Sequence, residues 1–332
     1  MRKISILTYW GVANFGAWTQ AYALNQYLNQ ICGNEYCIEH IAYLEQSHWD
    51  MYYKFDKKLE NAFSYSWNEI PHTELLDGTA LEKKKFDILI IGSDAVWELN
   101  PAFNDDMHLF GHKIKANKII SYAASFGNIL LDNIPQRINE VNLEIFDNIS
   151  VRDLNSKNII ETITHKKAEI VLDPALLWDF NLDSEIKEPT YRKYILVYGA
   201  QWTDEFIFNA RKYARKEGLK LVSVGYINHW CDVNIRLIEL RSKEWIGFFS
   251  KAEKVYTSTF HGLMLGINYQ KDISFCQVDY VKNRSQTLIE FLDIEKEIKS
   301  FESKINYQEV GGYLKKYRNL STDYLRECIS MD

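Results

Sequence analysis

Residues 3–28, KISILTYWGVANFGAWTQAYALNQYL, contain the pattern that decides the fold of this chain. An apolar run comes first, a turn bounded by Gly11 and Gly16 follows, and apolar residues then recur at helical spacing. A strand that leads through a tight turn into an amphipathic helix is the first half of a βα unit. The turn has Ala17 and Trp18 where a phosphate-binding P-loop has Lys and then Ser or Thr, so it does not predict a nucleoside triphosphate site.

The same order of strand, turn and helix recurs and predicts an α/β fold with parallel sheets. Further strands are expected in FDILIIG (86–92), KIISY (118–122), ISV (149–151), YILVYG (194–199), LKLVSVG (219–225) and KVYTST (254–259). Further helices are expected in TDEFIFNARKYARKEG (203–218), SKEWIGFFSKA (242–252) and FHGLMLGINY (260–269). Gly218 lies where a helix C-cap is expected, just before a strand.

The chain divides at a polar segment, DFNLDSEIKEPTYR, residues 179–192. Its length of 332 residues also favours two domains over one. We therefore expect two Rossmann-like domains facing a cleft, residues 1–182 and 183–305, followed by a C-terminal helix over 306–332 that packs back across them. The apolar face expected for this helix contains Tyr313, Leu314, Tyr317, Leu320, Tyr324 and Cys328.

Composition excludes several classes of protein. A formal charge of −6 argues against a nucleic-acid partner, since such partners require a basic surface. The five cysteines include no Cys-x-x-Cys pair, which predicts neither a disulfide framework nor a zinc site and fits a cytoplasmic location. No apolar run is long enough to span a membrane, and no His, Asp or Glu cluster has the spacing of metal ligands.

The polar turns after the predicted strands are the places to look for a ligand, because ligands of open parallel sheets bind beyond the carboxyl ends of the strands. These turns are NFGAW, GSDAVW, AASFGN, SVRD and TSTFHG. The last brings hydroxyls, helix N-terminal amides and the imidazole of His261 to one place, which suits an anion. A helix cap with a structural histidine explains the same residues.

Seven segments in order resemble the polysaccharide pyruvyl transferase family, over about Ile4 to Ile294. They are NFGAWTQAYAL (14–24), DILIIGSDAVW (87–97), SYAASFG (121–127), ISVRD (149–153), VLDPALLW (171–178), VYTSTFHGLMLGINY (255–269) and NRSQTLIEFLDI (283–294). The resemblance implies the two-domain GT-B glycosyltransferase architecture. It also implies transfer of a pyruvyl group from phosphoenolpyruvate, as co-substrate without a further cofactor or metal, to a sugar, where it forms a cyclic ketal.

By this resemblance His261 is the candidate general acid or phosphate partner, and Arg152 is associated with the donor. Arg284 is a further candidate cation, because guanidinium binds both carboxylate and phosphate. Ser258, Thr259 and Gly262 complete the expected donor site. Many family members have Arg at the position of Thr259 and other branches have a small hydroxyl residue, so another cation is expected to take over or the donor is bound differently.

On the acceptor side, Asp94 is the candidate to orient or deprotonate a sugar hydroxyl. Trp97 is expected to stack on a sugar ring, although capping by Ser93 or Asp94 and core packing explain the same motif. The remaining acceptor candidates are Asn14, Gly16, Gln20 and Ser93; turn formation by glycine is the alternative for Gly16.

The expected acceptor is a glycan or lipid-linked sugar, a hexose in a precursor of a bacterial capsule or other exopolysaccharide. A lipid-linked acceptor would bring the enzyme to the inner face of a membrane as a peripheral protein. Two alternatives remain open: a glycosyltransferase that uses a nucleotide sugar, and a non-catalytic glycan-binding protein with the same fold.

Overall fold

The structure is a computed structural model that describes residues 2–101 and 105–330. Its strands are β1 (Arg2–Leu7), β2 (Tyr36–His40), β3 (Lys85–Ile91), β4 (Lys115–Ser121), β5 (Ser150–Val151), β6 (Glu169–Ile170), β7 (Tyr194–Tyr198), β8 (Lys220–Gly225), β9 (Val233–Arg236), β10 (Lys254–Thr257) and β11 (Asp272–Phe275). Its α-helices are α1 (Phe15–Cys32), α2 (Gln46–Tyr53), α3 (Lys57–Trp67), α4 (Gly78–Lys83), α5 (Leu154–Thr164), α6 (Asp204–Glu217), α7 (Ser242–Lys251), α8 (Phe260–Asn268), α9 (Asp279–Leu292), α10 (Glu295–Lys299) and α11 (Tyr307–Ile329).

The chain forms two compact units. Unit 1 is Met1–Trp178 with Lys316–Asp332, and unit 2 is Asp179–Lys315. Each unit contains a parallel sheet whose strands alternate with helices, as the sequence predicts for Rossmann-like domains. The division of donor and acceptor roles between the two units stays a prediction.

The sheet of unit 1 has the strand order β2-β1-β3-β4, and each neighbouring pair is parallel. An isolated bridge between Ala124 and Val151 places the end of β5 beside the residues that follow β4. The last four residues of β3 are fully buried. Burial on both faces explains why this strand is a continuous apolar run in the sequence, and the strand order places the segments after β1, β3, β4 and β5 at one edge.

The sheet of unit 2 has the order β11-β10-β7-β8-β9 and is parallel throughout. All five residues of the central strand β7 are buried. Helix α6 covers one face of the sheet, where Phe206 packs against Val197 and Tyr256. The turn from β10 into α8 lies at the carboxyl end of a strand adjacent to the centre, which is a usual position for a ligand site.

Helix α11 contributes residues to both units. In unit 2 the hydroxyl of Tyr307 donates to the carbonyl of Lys271 over 2.5 Å. In unit 1 the hydroxyl of Tyr324 donates to the carbonyl of Ser121 over 2.9 Å. Two residues predicted for its apolar face, Tyr313 and Leu320, are instead 43% and 49% exposed, because the buried face follows a helical repeat displaced from them. That face contains Val310, Leu314, Ser321, Leu325, Cys328 and Ile329.

The ends of the longer helices agree with their sequence. Asn14 caps α1 and Thr203 caps α6, each through a side-chain oxygen that accepts from backbone amides of the first turn. Gly218 ends α6 with a φ of 65°, which confirms the predicted C-cap. Within the part of the chain that the structure describes, none of the helices has the length and apolar composition needed to cross a membrane.

Candidate functional site

Three buried side chains form a closed hydrogen-bonded network at the carboxyl ends of β1 and β3. Gln20 Nε2 donates to Thr8 Oγ1 over 3.1 Å, and Thr8 Oγ1 donates to the carbonyl of Ser93 over 2.9 Å. Ser93 Oγ closes the network by donating to Gln20 Oε1 over 2.9 Å. These bonds hold the two strand ends against α1, and the predicted contact of Gln20 and Ser93 with an acceptor stays a prediction.

The turn between β1 and α1 is held by Asn14. Its Oδ1 accepts from the amides of Gly16 and Ala17 over 2.8 and 3.2 Å, so the side chain caps the helix. Asn14 is exposed and Gly16 is buried. Of this predicted pair, Asn14 is therefore the residue that a ligand can reach without rearrangement.

Arg152, after β5, lies between two carboxylates. Its guanidinium is 2.8 Å from Asp173 Oδ2 and 3.1 Å from Asp94 Oδ1, and only 1% of its side chain is exposed. Burial lowers the pKa of Arg152, but the two carboxylates outweigh burial and the pKa is raised. The structure therefore joins Arg152, predicted for the donor, to Asp94, predicted for the acceptor. Both of these ion pairs are buried.

Asp94 is held in an unusual backbone conformation at the end of β3. Its φ is 81°, a region that a non-glycine residue enters only when its surroundings enforce it. Nearby, Gly92 has a φ of 118°, and a Cβ there would lie 2.2 Å from the carbonyl oxygen of Tyr122. The Asp94 side chain keeps 11% exposure. A carboxylate oriented by Arg152 and still open to solvent is suited to bind a hydroxyl group.

Trp97 lies in the core of unit 1. It is fully buried, and its indole nitrogen donates to the carbonyl of Leu109 over 3.2 Å. Its ring packs against Phe110, Phe126 and Phe146, with centroids 5.4 to 6.2 Å away. A sugar would have to displace part of this packing before it could stack on Trp97.

In unit 2, hydroxyl groups organise the turn from β10 into α8. Thr259 is the N-cap of α8, and its Oγ1 accepts from the amide of Gly262 over 3.1 Å. Thr257 Oγ1 lies 3.1 Å from Thr259 Oγ1 and donates to the carbonyl of Tyr198 over 2.7 Å. A Cβ at position 262 would lie 2.1 Å from Thr257 Oγ1, so the close approach requires glycine. Ser258 is 5% exposed beside them.

His261 occupies the first turn of α8, and Arg284 lies on α9. They are 9% and 8% exposed. The His261 ring meets the ring of Phe260 edge to face, with centroids 5.3 Å apart. The structure thus groups His261, Ser258, Thr259 and Gly262 in one turn of unit 2, whereas Arg152 and Asp94 lie in unit 1.

Unit 1 also contains a cavity of about 480 Å³ that the sequence did not predict. Its walls come from the β1–α1 turn, the segment after β2, and helices α2 and α3. Four aromatic side chains line it: Trp10, Trp49, Tyr53 and Trp67. The signal in the sequence was the aromatic content of HWDMYYKFDKKLENAFSYSW, residues 48–67, which apolar periodicity alone does not separate from ordinary core.

A buried histidine lies near this cavity, in a small void that shares Trp10 with it. His48 lines a void of about 10 Å³, room for about one water molecule, together with Thr8, Tyr9 and Trp10. Burial lowers the pKa of His48 to about 4, and the charge of Asp94 opposes that shift. His48 is therefore neutral near pH 7, and its ring packs edge to face on Tyr9 at 4.8 Å.

A second histidine of unit 1 has the opposite environment. His108 Nδ1 is 2.9 Å from Asp106 Oδ2, and His108 Nε2 is 3.2 Å from Glu82 Oε1. Burial lowers its pKa, but the two carboxylates outweigh burial and raise it. Tyr43 completes the cluster through its hydroxyl, which bonds both His108 and Asp106. In the described ranges, 2–101 and 105–330, no group of three or more His, Cys, Asp or Glu residues is arranged to hold a metal ion.

Comparison of sequences identifies a family. A sequence profile described as polysaccharide pyruvyl transferase matches residues 14–271 of the chain. The match covers well over half of the chain and includes every candidate site residue named above except Arg284. A search of curated proteins gives no match.

Three solved structures are similar in fold. The S. aureus MnaA–UDP complex is 14% identical with a TM-score of 0.52, and the alignment covers 97% of this chain and 91% of that chain. Methanocaldococcus jannaschii UDP-GlcNAc 2-epimerase, in complex with UDP-GlcNAc and UDP, is 11% identical with a TM-score of 0.50, covering 95% and 99%. A putative UDP-N-acetylglucosamine 2-epimerase from Listeria monocytogenes is 10% identical with a TM-score of 0.51, covering 98% and 91%. These likenesses confirm the predicted class, Rossmann-like domains of the GT-B type.

Proposed function

The chain belongs to the polysaccharide pyruvyl transferase family, and from this membership we propose that it uses phosphoenolpyruvate to place a pyruvate ketal on a hexose. The acceptor is a precursor of a surface polysaccharide or exopolysaccharide, such as a capsule. The match over residues 14–271 is the observation that carries the proposal, because it spans both units.

The proposed reaction joins one phosphoenolpyruvate to two hydroxyl groups of one sugar. A proton is added to the methylene carbon, the first hydroxyl oxygen bonds to the neighbouring carbon, and the bond from that carbon to the phosphate oxygen breaks. The second hydroxyl oxygen then closes the ketal. The sugar releases two hydroxyl protons. One replaces the proton that was added to the methylene carbon, and the other leaves with phosphate. The reaction therefore needs an acid, a base and an anion site.

We assign the acid or phosphate-binding role to His261. It lies at the start of α8, where backbone amides and the helix dipole favour an anion. Ser258, Thr259 and Gly262 surround that helix start, and Arg284 supplies the cation that Thr259 does not. Since Thr259 already caps α8, its hydroxyl supports the turn, and the backbone amides are the groups proposed to contact phosphate.

Asp94 is proposed to accept a proton from the acceptor hydroxyl or to orient it. Its ion pair with Arg152, at 3.1 Å, fixes the direction of the carboxylate. Arg152 is therefore proposed as a positioning residue, and its predicted contact with the donor stays a prediction.

The proposal is tested by incubating the protein with phosphoenolpyruvate and hexose acceptors that have neighbouring or 4,6-hydroxyl pairs. Phosphate release together with the mass gain of a ketal on the sugar is expected. If no acceptor in a panel of galactose, glucose and mannose derivatives gains mass, the pyruvyl transfer proposal fails.

The acceptor is proposed to be lipid-linked, which would place a cytoplasmic enzyme at the inner face of a membrane. Support comes from α2 and the start of α3, where Met51 and Phe55 are 46% and 93% exposed. Lys57 and Lys58 are exposed beside them, whereas Lys54 lies 3.9 Å from Asp50. Exposed apolar side chains with adjacent cations favour an anionic lipid surface. Co-sedimentation with phosphatidylglycerol vesicles, but not with phosphatidylcholine vesicles, is the expected result.

A glycosyltransferase that uses a nucleotide sugar is the second candidate, since structures of similar fold contain UDP. It predicts a rise in the thermal midpoint with UDP and none with phosphoenolpyruvate. A glycan-binding protein without catalysis predicts binding of the sugar and no effect of either donor.

A further inference from the structure

The aromatic cavity of unit 1 has rigid walls. Trp67 donates its indole N–H to the carbonyl of Val12 over 2.9 Å, and the Tyr53 hydroxyl donates to the carbonyl of Gly11 over 2.5 Å. The Trp10 and Trp67 rings pack at 4.8 Å. Because hydrogen bonds within the protein already use these polar atoms, the side chains present carbon atoms to the cavity.

Uncharged and acidic polar groups surround that surface. Gln46, Glu60, Ser64, Asn68 and His72 line the cavity together with the aromatic residues. None of the described residues that line it is Lys or Arg. A phosphate or a nucleotide would lack cationic partners here, whereas a sugar matches the set, since its C–H faces stack on rings and its hydroxyls bond amides and carboxylates.

The cavity adjoins the small void at His48. Trp10 and Leu44 line both the large cavity and the small void at His48. The charge of Asp94 acts on His48, and the hydroxyl of Tyr9, in the same void, donates to the carbonyl of Ala95 over 2.7 Å. Tyr9, which lines the small void, thus reaches the residue that follows Asp94.

We propose that the cavity is a carbohydrate subsite that binds an uncharged sugar unit of the acceptor, with Trp49 as the stacking face nearest to solvent. Its volume of about 480 Å³ lies within the roughly 300–1,000 Å³ typical of small-molecule sites. That the bound sugar is an acceptor rests on the proposed function, whereas sugar binding itself does not.

The test measures binding of five methyl glycosides, those of glucose, galactose, mannose, N-acetylglucosamine and N-acetylmannosamine, by saturation-transfer NMR and titration. At least one is expected to bind, with affinity about tenfold weaker in Trp49→Ala. Tyr65→Ala is the matched control, because Tyr65 is 48% exposed on α3 and is absent from the cavity lining. It should bind like the unmodified protein.

A second variant tests whether weaker binding could come from misfolding. Glu60→Gln keeps the size of the side chain and removes the charge, and it should weaken the same glycoside while circular dichroism and the thermal midpoint stay unchanged. The proposal is overturned if none of the glycosides binds, if both cavity variants bind like Tyr65→Ala, or if the bound sugar contacts unit 2 alone.

Measurements of phosphoenolpyruvate-dependent turnover distinguish failure of the proposed subsite from failure of the proposed function. If phosphoenolpyruvate-dependent transfer occurs and Trp49→Ala has an unchanged KM for the acceptor, the subsite fails and the function stands. If a glycoside binds in a Trp49-dependent manner and no transfer occurs with any acceptor, the subsite stands and the function fails.

Discussion

The two groups of candidate residues differ in how their charges are balanced. In unit 1, Arg152 lies between Asp94 and Asp173 in a buried cluster, so a single guanidinium orients two carboxylates. In unit 2, the β10–α8 turn is built from hydroxyls, amides and one histidine, with Thr259 as the N-cap of α8. Ion pairs fix the position of a carboxylate in unit 1, whereas in unit 2 the backbone amides of a helix start favour an anion. The comparison predicts that substitutions in unit 1 affect stability first, and substitutions in unit 2 affect turnover first.

The largest effect is expected for Arg152→Met, which leaves two buried carboxylates without their cation. Loss of about 3–5 kcal/mol in the free energy of unfolding is expected, measured by urea denaturation. Lys167→Met is the control, because the Lys167–Glu169 pair is exposed and its removal should leave the urea midpoint unchanged. A midpoint for Arg152→Met equal to that of the control would show that the cluster does not stabilise unit 1.

His261→Gln tests the opposite side of the comparison. If His261 delivers the proton, kcat should fall roughly 100-fold or more while the urea midpoint changes little. His229→Gln, at an exposed position of unit 2, should keep full activity. Full turnover by His261→Gln would contradict the assigned mechanism.

Thr259→Ala separates capping from donor binding. Loss of the hydroxyl that accepts from Gly262 should cost about 1 kcal/mol of stability, and Thr259→Ser should restore it. Because the backbone amides are the proposed phosphate contacts, the KM for phosphoenolpyruvate should change less than it does in Arg284→Met. The reverse order of the two KM values would make the Thr259 hydroxyl a donor contact.

The smallest effect concerns pH and His108. The pKa of this histidine is raised in the folded protein, so its contribution is fully present below the ordinary unfolded value of about 6.5 and is lost as pH rises through the folded value. The free energy of unfolding should therefore decrease over that window in the unmodified protein. His108→Gln should remove this slope, and an unchanged slope would assign it to another group.

The sequence predicts best the strands that are buried on both faces. Strands β1, β3, β7 and β10 have a neighbour on each side in their sheets and stand out as apolar runs. The strands that were missed, β2, β6, β9 and β11, lie at sheet edges, and none of the four residues of β9 is buried. An edge strand is paired on one side only, so its sequence carries a weaker signal.

The sequence predicted which turns carry the residues of the candidate site, but it predicted less well how those residues pair in space. Strand ends indicated the turns that carry Asp94, Arg152 and His261, because parallel sheets present those ends together. The pairing of Arg152 with Asp94 joins residues 58 positions apart, and its pairing with Asp173 joins residues 21 apart, which no local pattern encodes. The aromatic cavity likewise joins a turn after β1 to helices α2 and α3.

The order of segments along the chain has a consequence for synthesis. Tyr324 and Ser321 bond to Ser121 and Leu172 in unit 1, although all of unit 2 is translated between them. The ribosome synthesises all of unit 2, residues 179–315, before it makes the later part of α11, from residue 316 onward, which completes unit 1. The first sheet to leave the ribosome is therefore the last to gain its full set of contacts, and a nascent chain stalled before residue 316 would expose the surface that α11 covers.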